Sequence, residues 1–273
     1  MILNKILTKT IIYFFLIFFA VVTLFPFLWT FYVSFVKDVN NIGKFSLSLS
    51  DYGFDNFIYL FSKIQAGSWY FNSIVTTLGI TFANLIFNSM AGYSLARINY
   101  PGRSFIFWIV LGVMLVPFQI TMVPVYMLLI DWNFVNSFKG LIIPFMFNSF
   151  GMFLMRQFFL GIPKELEEAA RVDGLSKYGI FTKIMLPLAK TALITQFIII
   201  FMWNWNSFIW PSIISNESSM YTLAVGINTV KSQYFSVPTT VMAGVVVLTV
   251  PVLLVFIILQ KYFIRGIAGT GIK

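Results

Sequence analysis

The chain has 273 residues, of which 59% are hydrophobic, 19% aromatic and only 10% charged, with a mean hydropathy of +0.89. A soluble domain carries about 25% charge, so the composition excludes an ordinary soluble protein and points to a polytopic membrane protein. The absence of Cys and His removes disulfides, thiolate metal sites and the commonest general base, which weighs against catalytic and metal-transport roles.

Crossing a hydrocarbon core takes about 20 apolar residues at a rise of about 1.5 Å each. The first such stretch, 10–36, is longer than a signal-peptide core and lacks an Ala-x-Ala exit, so it reads as a retained span. A polar loop follows, with Ser, Asp, Gly and Asn, expected to hold short local structure. The second span is 69–96, closed by the turn Arg97-Ile-Asn-Tyr-Pro-Gly-Arg103, where Pro-Gly supplies the break. The third, 104–130, carries Pro117 and Pro124 seven residues apart, on one face of a continuous helix. Two readings stay open for these and the other span prolines: kinks that shape the bundle, or hinges along a path that opens alternately. The fourth span, 138–160, has the shortest uncharged core, and Lys139 and Arg156 at its ends can snorkel. After a polar stretch at 161–187 come the fifth span, 191–211, and the sixth, 236–260. The expected fold class is an all-α integral membrane protein of six transmembrane helices, in a single domain over 1–273.

Charge sets the orientation. Thirteen of the 18 Lys and Arg residues fall at the N-terminus, at 97–103, at 156–190 and after the last span. By the positive-inside rule those segments, and therefore both termini, are expected to be cytoplasmic. The five remaining bases are cancelled by Asp38, Asp51, Asp55, Asp131 and Glu217, so the whole net charge of +9 sits on the inner face. Insertion topology and anionic lipid account for that charge, and no nucleic-acid partner is expected.

The polar stretch 161–187 reads as two short helices around a turn. Pro163 suits a first helical position, and Glu165, Glu167 and Glu168 meet the positive end of the helix dipole. Arg171 closes that helix, Gly174 supplies a left-handed cap, and Ser176 is placed to cap the second helix; Pro187 either ends that helix or starts the next span. Ala169 and Ala170 give the first helix a small face that another protein's backbone could approach. On these residues alone, a helix lying on the bilayer and a docking element both remain open.

Residues 168–187 also carry a fixed pattern: Glu168-Ala169-Ala170, three residues, Gly174, nine residues, then Ile184-x-Leu186-Pro187. The pattern resembles the EAA loop of type I ABC importer permeases. Phe201-Met-Trp-Asn-Trp-Asn-Ser-Phe-Ile-Trp-Pro211, Tyr221-Thr-Leu-Ala-Val-Gly226, Leu24-Phe-Pro-Phe-Leu-Trp29 and Leu259-Gln-Lys-Tyr-Phe-Ile-Arg-Gly266 are similar to segments of the carbohydrate, maltose-transporter-like branch. Nearly the whole length is covered. The last residues, 268–273, depart from the usual ending.

The resemblance implies a type I ABC importer permease fold in a bacterial or archaeal cytoplasmic membrane. It implies as partners a second homologous permease, an ABC ATPase dimer and an extracytoplasmic sugar-binding protein, besides membrane lipid. The chain itself would bind no cofactor, ATP and Mg being used by the ATPase; no phosphate-binding loop signature occurs in it. Carried over by position, Glu168, Ala169, Ala170, Asp173, Gly174, Ile184, Leu186 and Pro187 form the ATPase-coupling set. Glu168 would make polar contact with the ATPase, the two alanines would pack in its cleft, Gly174 would make the turn, and Ile184 with Leu186 would anchor the second helix. The cargo implied is a sugar, an oligosaccharide above others.

A sugar path needs planar hydrogen-bonding groups and aromatic faces. Trp203, Asn204, Trp205, Asn206 and Trp210 offer both within one span, and Asn148 adds an amide from another. These amides, like Asn84, Asn88, Gln119 and Gln196, could instead hold the bundle together. No catalytic or metal site is expected. Two alternatives stand beside sugar import: a glycerol-phosphate or polyol permease, and a stand-alone secondary transporter, which would call for the mid-span charges this chain lacks.

Overall fold

A backbone in hydrocarbon pairs its polar groups only inside a helix or a closed barrel, and this chain takes the helical solution. The computed structural model describes residues 2–44, 47–233 and 238–268. In chain order the helices are α1 (Ile2–Phe35), α2 (Asp55–Lys63), α3 (Ala66–Arg97), α4 (Arg103–Met114), α5 (Phe118–Asp131), α6 (Phe138–Ile142) and α7 (Ser149–Gly161). There follow α8 (Glu165–Val172), α9 (Lys177–Ile180), α10 (Leu186–Leu188), α11 (Lys190–Trp205), α12 (Ile209–Ile214), α13 (Leu223–Gln233) and α14 (Pro238–Ala268).

Among the described residues, three stretches are long and apolar enough to cross a membrane unaided: Ile6–Phe35, Ala66–Arg97 and Pro238–Lys261. Three further crossings exist only if each of three bent helix pairs counts as one. The sharpest bend falls within the expected third span, where α4 and α5 meet at 99°. Pro117 is the cause: it has no N–H, it disfavours the helical region for Val116, and it sits at φ −61°, ψ 130° ahead of α5. Pro124 lies inside α5, so the two prolines do not share a face of one continuous helix. The fourth stretch bends by 43° at residues 146–148, where Asn148 starts α7. The helical segment Lys177–Leu188 turns by 75° into α11, and α11 stops at Trp205, so the expected span 191–211 is interrupted at 206–208. Of the sixth span, 236–237 lie outside the described residues.

The chain forms two compact units, 1–67 with 227–250 and 68–226 with 251–273. In the first, Asn56 is buried and ties three segments together. Its amide donates to the carbonyls of Ser34 (3.0 Å) and Val36 (2.8 Å), and its oxygen accepts from Thr239 (3.0 Å). The isolated antiparallel bridge between Val36 and Tyr52 holds the polar loop back against the end of α1.

The second unit is built on α3. At Gly92 the backbone of α7 comes so near that a Cβ would stand 2.8 Å from the Met155 Cβ and 2.9 Å from the Arg156 nitrogen. Around that contact lies the main apolar core: Tyr93, Met155, Phe159, Ala170, Ile180, Phe181 and Met185, with Ala189 and Ala192. Most of its members come from α3, α7 and the 161–189 segment, so the polar stretch between spans is itself fastened into the core.

Candidate functional site

Helix α8 begins at Glu165, two residues after Pro163, with Glu167 and Glu168 both donating their N–H to the Lys164 carbonyl (3.0 and 3.1 Å). It ends in a paired turn: Gly174 N–H reaches the Arg171 carbonyl and Leu175 N–H the Ala170 carbonyl, each at 3.0 Å. This arrangement needs a left-handed residue between them, and Gly174 supplies it at φ +81°. Ser176 then caps α9, its hydroxyl accepting from Gly179 N–H at 3.1 Å. A wider π-type turn at Phe181–Met185 joins α9 to α10. Pro187 accounts for it, since the donor that would close an ordinary turn there is missing.

One face of α8 is buried by Glu167 and Ala170, three residues apart. Ala170 packs into the chain's own core, which corrects the expectation that it faces a partner's cleft. Ile184 and Leu186 pack part-buried against the same core. The other face carries Leu166, Glu168, Ala169 and Val172, all exposed, with Asp173 and Gly174 beyond them and Pro187 exposed on α10. Val172 is 88% exposed and nearby Tyr178 73%, a cost that a partner surface would remove.

Glu167 was not distinguishable in the sequence from its acidic neighbours. In the fold its side chain is 6% exposed and lies 3.3 Å from Arg97 Nε, whose side chain is 5% exposed. The contact is an ion pair rather than a hydrogen bond, because Arg97 Nε is committed to the Phe159 carbonyl at 2.9 Å. Arg97 Nη2 also donates to the carbonyls of Phe159 and Ile162 at the end of α7, where carbonyls lack full intrahelical partners. Arg171 approaches the other Glu167 oxygen at 3.9 Å. No sequence signal links Arg97 to Glu167, which lie seventy positions apart.

Of the residues expected on a sugar path, Trp210 lines a cleft, while the other five do not converge. Trp205 is buried, stacked on Phe201 at 5.7 Å. Asn148 is spent capping α7, its side chain accepting from Gly151 N–H at 3.0 Å. Trp203 is exposed and lies 5.6 Å from the Phe150 ring. Asn204 and Asn206 donate to carbonyls of their own helix, Ile200 and Met202, at 2.8 Å each. The span amides instead form a connected network. Asn84 donates to the Phe145 carbonyl (2.6 Å), Asn88 to the Asn84 side chain (3.1 Å), Asn148 N–H to Asn88 (3.2 Å) and Gln196 to the Asn84 carbonyl (3.4 Å). For Asn84, Asn88 and Gln196 the bundle-holding reading is the one realised.

A cleft of about 260 Å³ opens where the α4–α5 and α11–α12 breaks meet, lined by Phe118, Gln119, Met122, Phe145, Ser207, Phe208, Ile209 and Trp210. Trp210 is fixed by its indole N–H donating to the Gly140 carbonyl at 3.1 Å, and its ring meets Phe118 and Phe145 edge-on at 5.5 and 5.8 Å. Gln119 is exposed on the cleft wall. Beside it, Asn204, Ser207 and Trp210 bound a smaller cavity with Ser73, Thr76 and Thr222.

Helices broken around a partly polar cleft are an arrangement found in membrane transporters. The family model for the binding-protein-dependent transport system inner membrane component matches residues 88–269, and the chain belongs to that family of multi-pass membrane proteins. It is 40% identical over 222 residues to an arabinooligosaccharides transport system permease protein of Halalkalibacterium halodurans, covering 80% of this chain and 79% of the relative. It is 31% identical over 201 residues to an sn-glycerol-3-phosphate transport system permease protein of Brucella abortus, covering 73% and 71%. The fold matches a chain of a bacterial ABC transporter involved in the import of the acidic polysaccharide alginate, with a TM-score of 0.84 and 25% identity over 95% of this chain and 98% of that one.

Proposed function

We propose that the chain is the permease subunit of an ATP-driven, binding-protein-dependent sugar importer, with an oligosaccharide as cargo. The observation that carries this is α8: it exposes Leu166, Ala169 and Val172 on one face while its other face is locked into the core. A helix with an apolar outward face on a polar loop is stable only if something covers it, and the family pattern makes that cover an ABC ATPase. Glu168, Asp173 and Gly174 edge the docking face. Ile184, Leu186 and Pro187 hold the segment behind it. Hydrolysis of ATP with Mg belongs to the ATPase.

In this reading the three bent pairs each count as one span, giving six, with both termini and 161–187 on the cytoplasmic side of a bacterial or archaeal cytoplasmic membrane. A second homologous permease completes the pore, and an extracytoplasmic binding protein delivers the sugar. Sugar rings pass the cleft at Phe118, Gln119 and Phe208, where aromatic faces and an amide stand at helix breaks. Trp203, Asn204 and Asn206 flank that path rather than converge on it.

The Brucella relative keeps a phosphate ester in view as cargo. The cleft lining contains no Lys or Arg, and a phosphate binds best to such groups, so the neutral sugar is the better fit. Purification in mild detergent with mass spectrometry of the bound proteins tests the assignment. An ABC ATPase and a second permease are expected to co-purify; a chain that emerges alone under conditions that preserve complexes would refute it.

A further inference from the structure

Arg97 joins three elements with one guanidinium. It ends α3, donates to the last carbonyls of α7, and pairs with Glu167 in the first turns of α8. Its position uses two dipoles at once, the negative end of α7 and, through Glu167, the positive end of α8. Arg97 and Glu167 are both almost fully buried. Their charges are shielded little by solvent, and neither can leave the other cheaply.

α3 is unbroken from Ala66 to Arg97, while the neighbouring helix pairs bend by 43° to 99°. At the end opposite Arg97 it is fastened just as firmly to the loop before α13. Trp69 Nε1 donates to the Ser218 carbonyl at 2.9 Å, and Asn72 Nδ2 to the carbonyls of Ser219 (2.7 Å) and Tyr221 (3.0 Å). Ser73 accepts from Leu223 N–H at 2.8 Å, and a Cβ on Gly226 would fall within the Trp69 ring. The two fastenings are separated by 28 residues of helix, about 42 Å at the usual rise.

We propose that Arg97 and Glu167 are positioning residues that turn a displacement of α8 into a displacement of α3, and through α3 into movement of the 216–222 loop. The inference rests on the reading of α8 as the ATPase-docking helix. Neither residue touches the ATPase or the cargo. The α8 outward face can receive force, and a buried ion pair with carbonyl anchors makes that force act on a straight rod. Without the pair, α8 is held by apolar contacts alone, which are non-directional.

The test uses the assembled complex in proteoliposomes. Because the chain has no Cys, Asn216→Cys in an otherwise Cys-free complex gives one site for a spin label on the exposed loop. In the unaltered complex the label's distance to a fixed reference on the partner permease is expected to shift on ATP binding. Glu167→Ala is expected to retain the ATPase and hydrolyse ATP, yet lose the label shift and transport at least tenfold fewer sugars per ATP. The paired Arg97→Met and Glu167→Met variant, which leaves no buried charge unpaired, is expected to behave the same way. Uptake per ATP within about twofold of the unaltered complex, in either variant, would overturn the proposal. So would loss of the ATPase from both variants, since the pair would then only shape the docking face. An unaltered chain that never binds an ATPase would instead sink the docking reading itself.

Discussion

At the scale of single residues, position in the fold decides which side chains matter, and the deciding contacts are backbone ones. Gly174 is at φ +81° with open space around its Cα, so its role is conformational rather than steric. Gly174→Asp strains the turn that aims α8, and Glu168→Lys reverses the charge beside the docking face. Each is expected to leave the chain inserted and to abolish ATP-driven uptake; normal uptake by either inserted variant would mean the loop has another job. Gly92 is the converse case, with α7 backbone where a side chain would go. Gly92→Val is expected to destabilise the second unit by about 1–3 kcal/mol, read as a lowered unfolding midpoint in detergent, and an unchanged midpoint would show that α3 and α7 can separate freely. Gly174 is legible in the sequence because its turn is local. Gly92 is not, since its reason is a neighbour some sixty residues away. The same separation hid the Arg97–Glu167 pair, whose disruption by loss of one partner costs about 3–5 kcal/mol when fully buried.

At the scale of elements, local chemistry made helix identity readable and breaks hard to place. The cap at Ser176, the turn at Gly102 and the two-helix form of 161–187 follow from residues within four positions of one another. The bend within the third span was not readable because composition reports apolarity over 104–130 without reporting direction; Pro117 turns that apolar stretch by 99°. The span amides show the same limit. Asn148 reads as a polar group in want of a ligand, while in the fold it caps α7 and joins the network through Asn84 and Asn88. Asn84 is the hub, donating to the carbonyl of Ile80 (2.8 Å) as well as that of Phe145. Asn84→Leu is expected to cost about 1–2 kcal/mol, whereas Asn206→Leu, on an exposed face, is expected to shift the detergent midpoint little. Equal effects of the two would argue that the network is dispensable.

At the scale of the whole molecule, charge asymmetry, hydropathy and the Glu-Ala-Ala pattern together carried the permease reading, and family membership agrees with it. What required the fold was the division of the motif itself: Ala169 faces out and Ala170 faces in. That division gives the account its most direct test. With no native Cys, Ala169→Cys and Ala170→Cys each introduce a single reactive thiol one residue apart. In the assembled complex, a short bifunctional crosslinker is expected to join the chain to the ATPase through position 169 and not through position 170. Crosslinking through 170 alone, or through neither while the ATPase remains bound, would contradict docking by the outward face of α8.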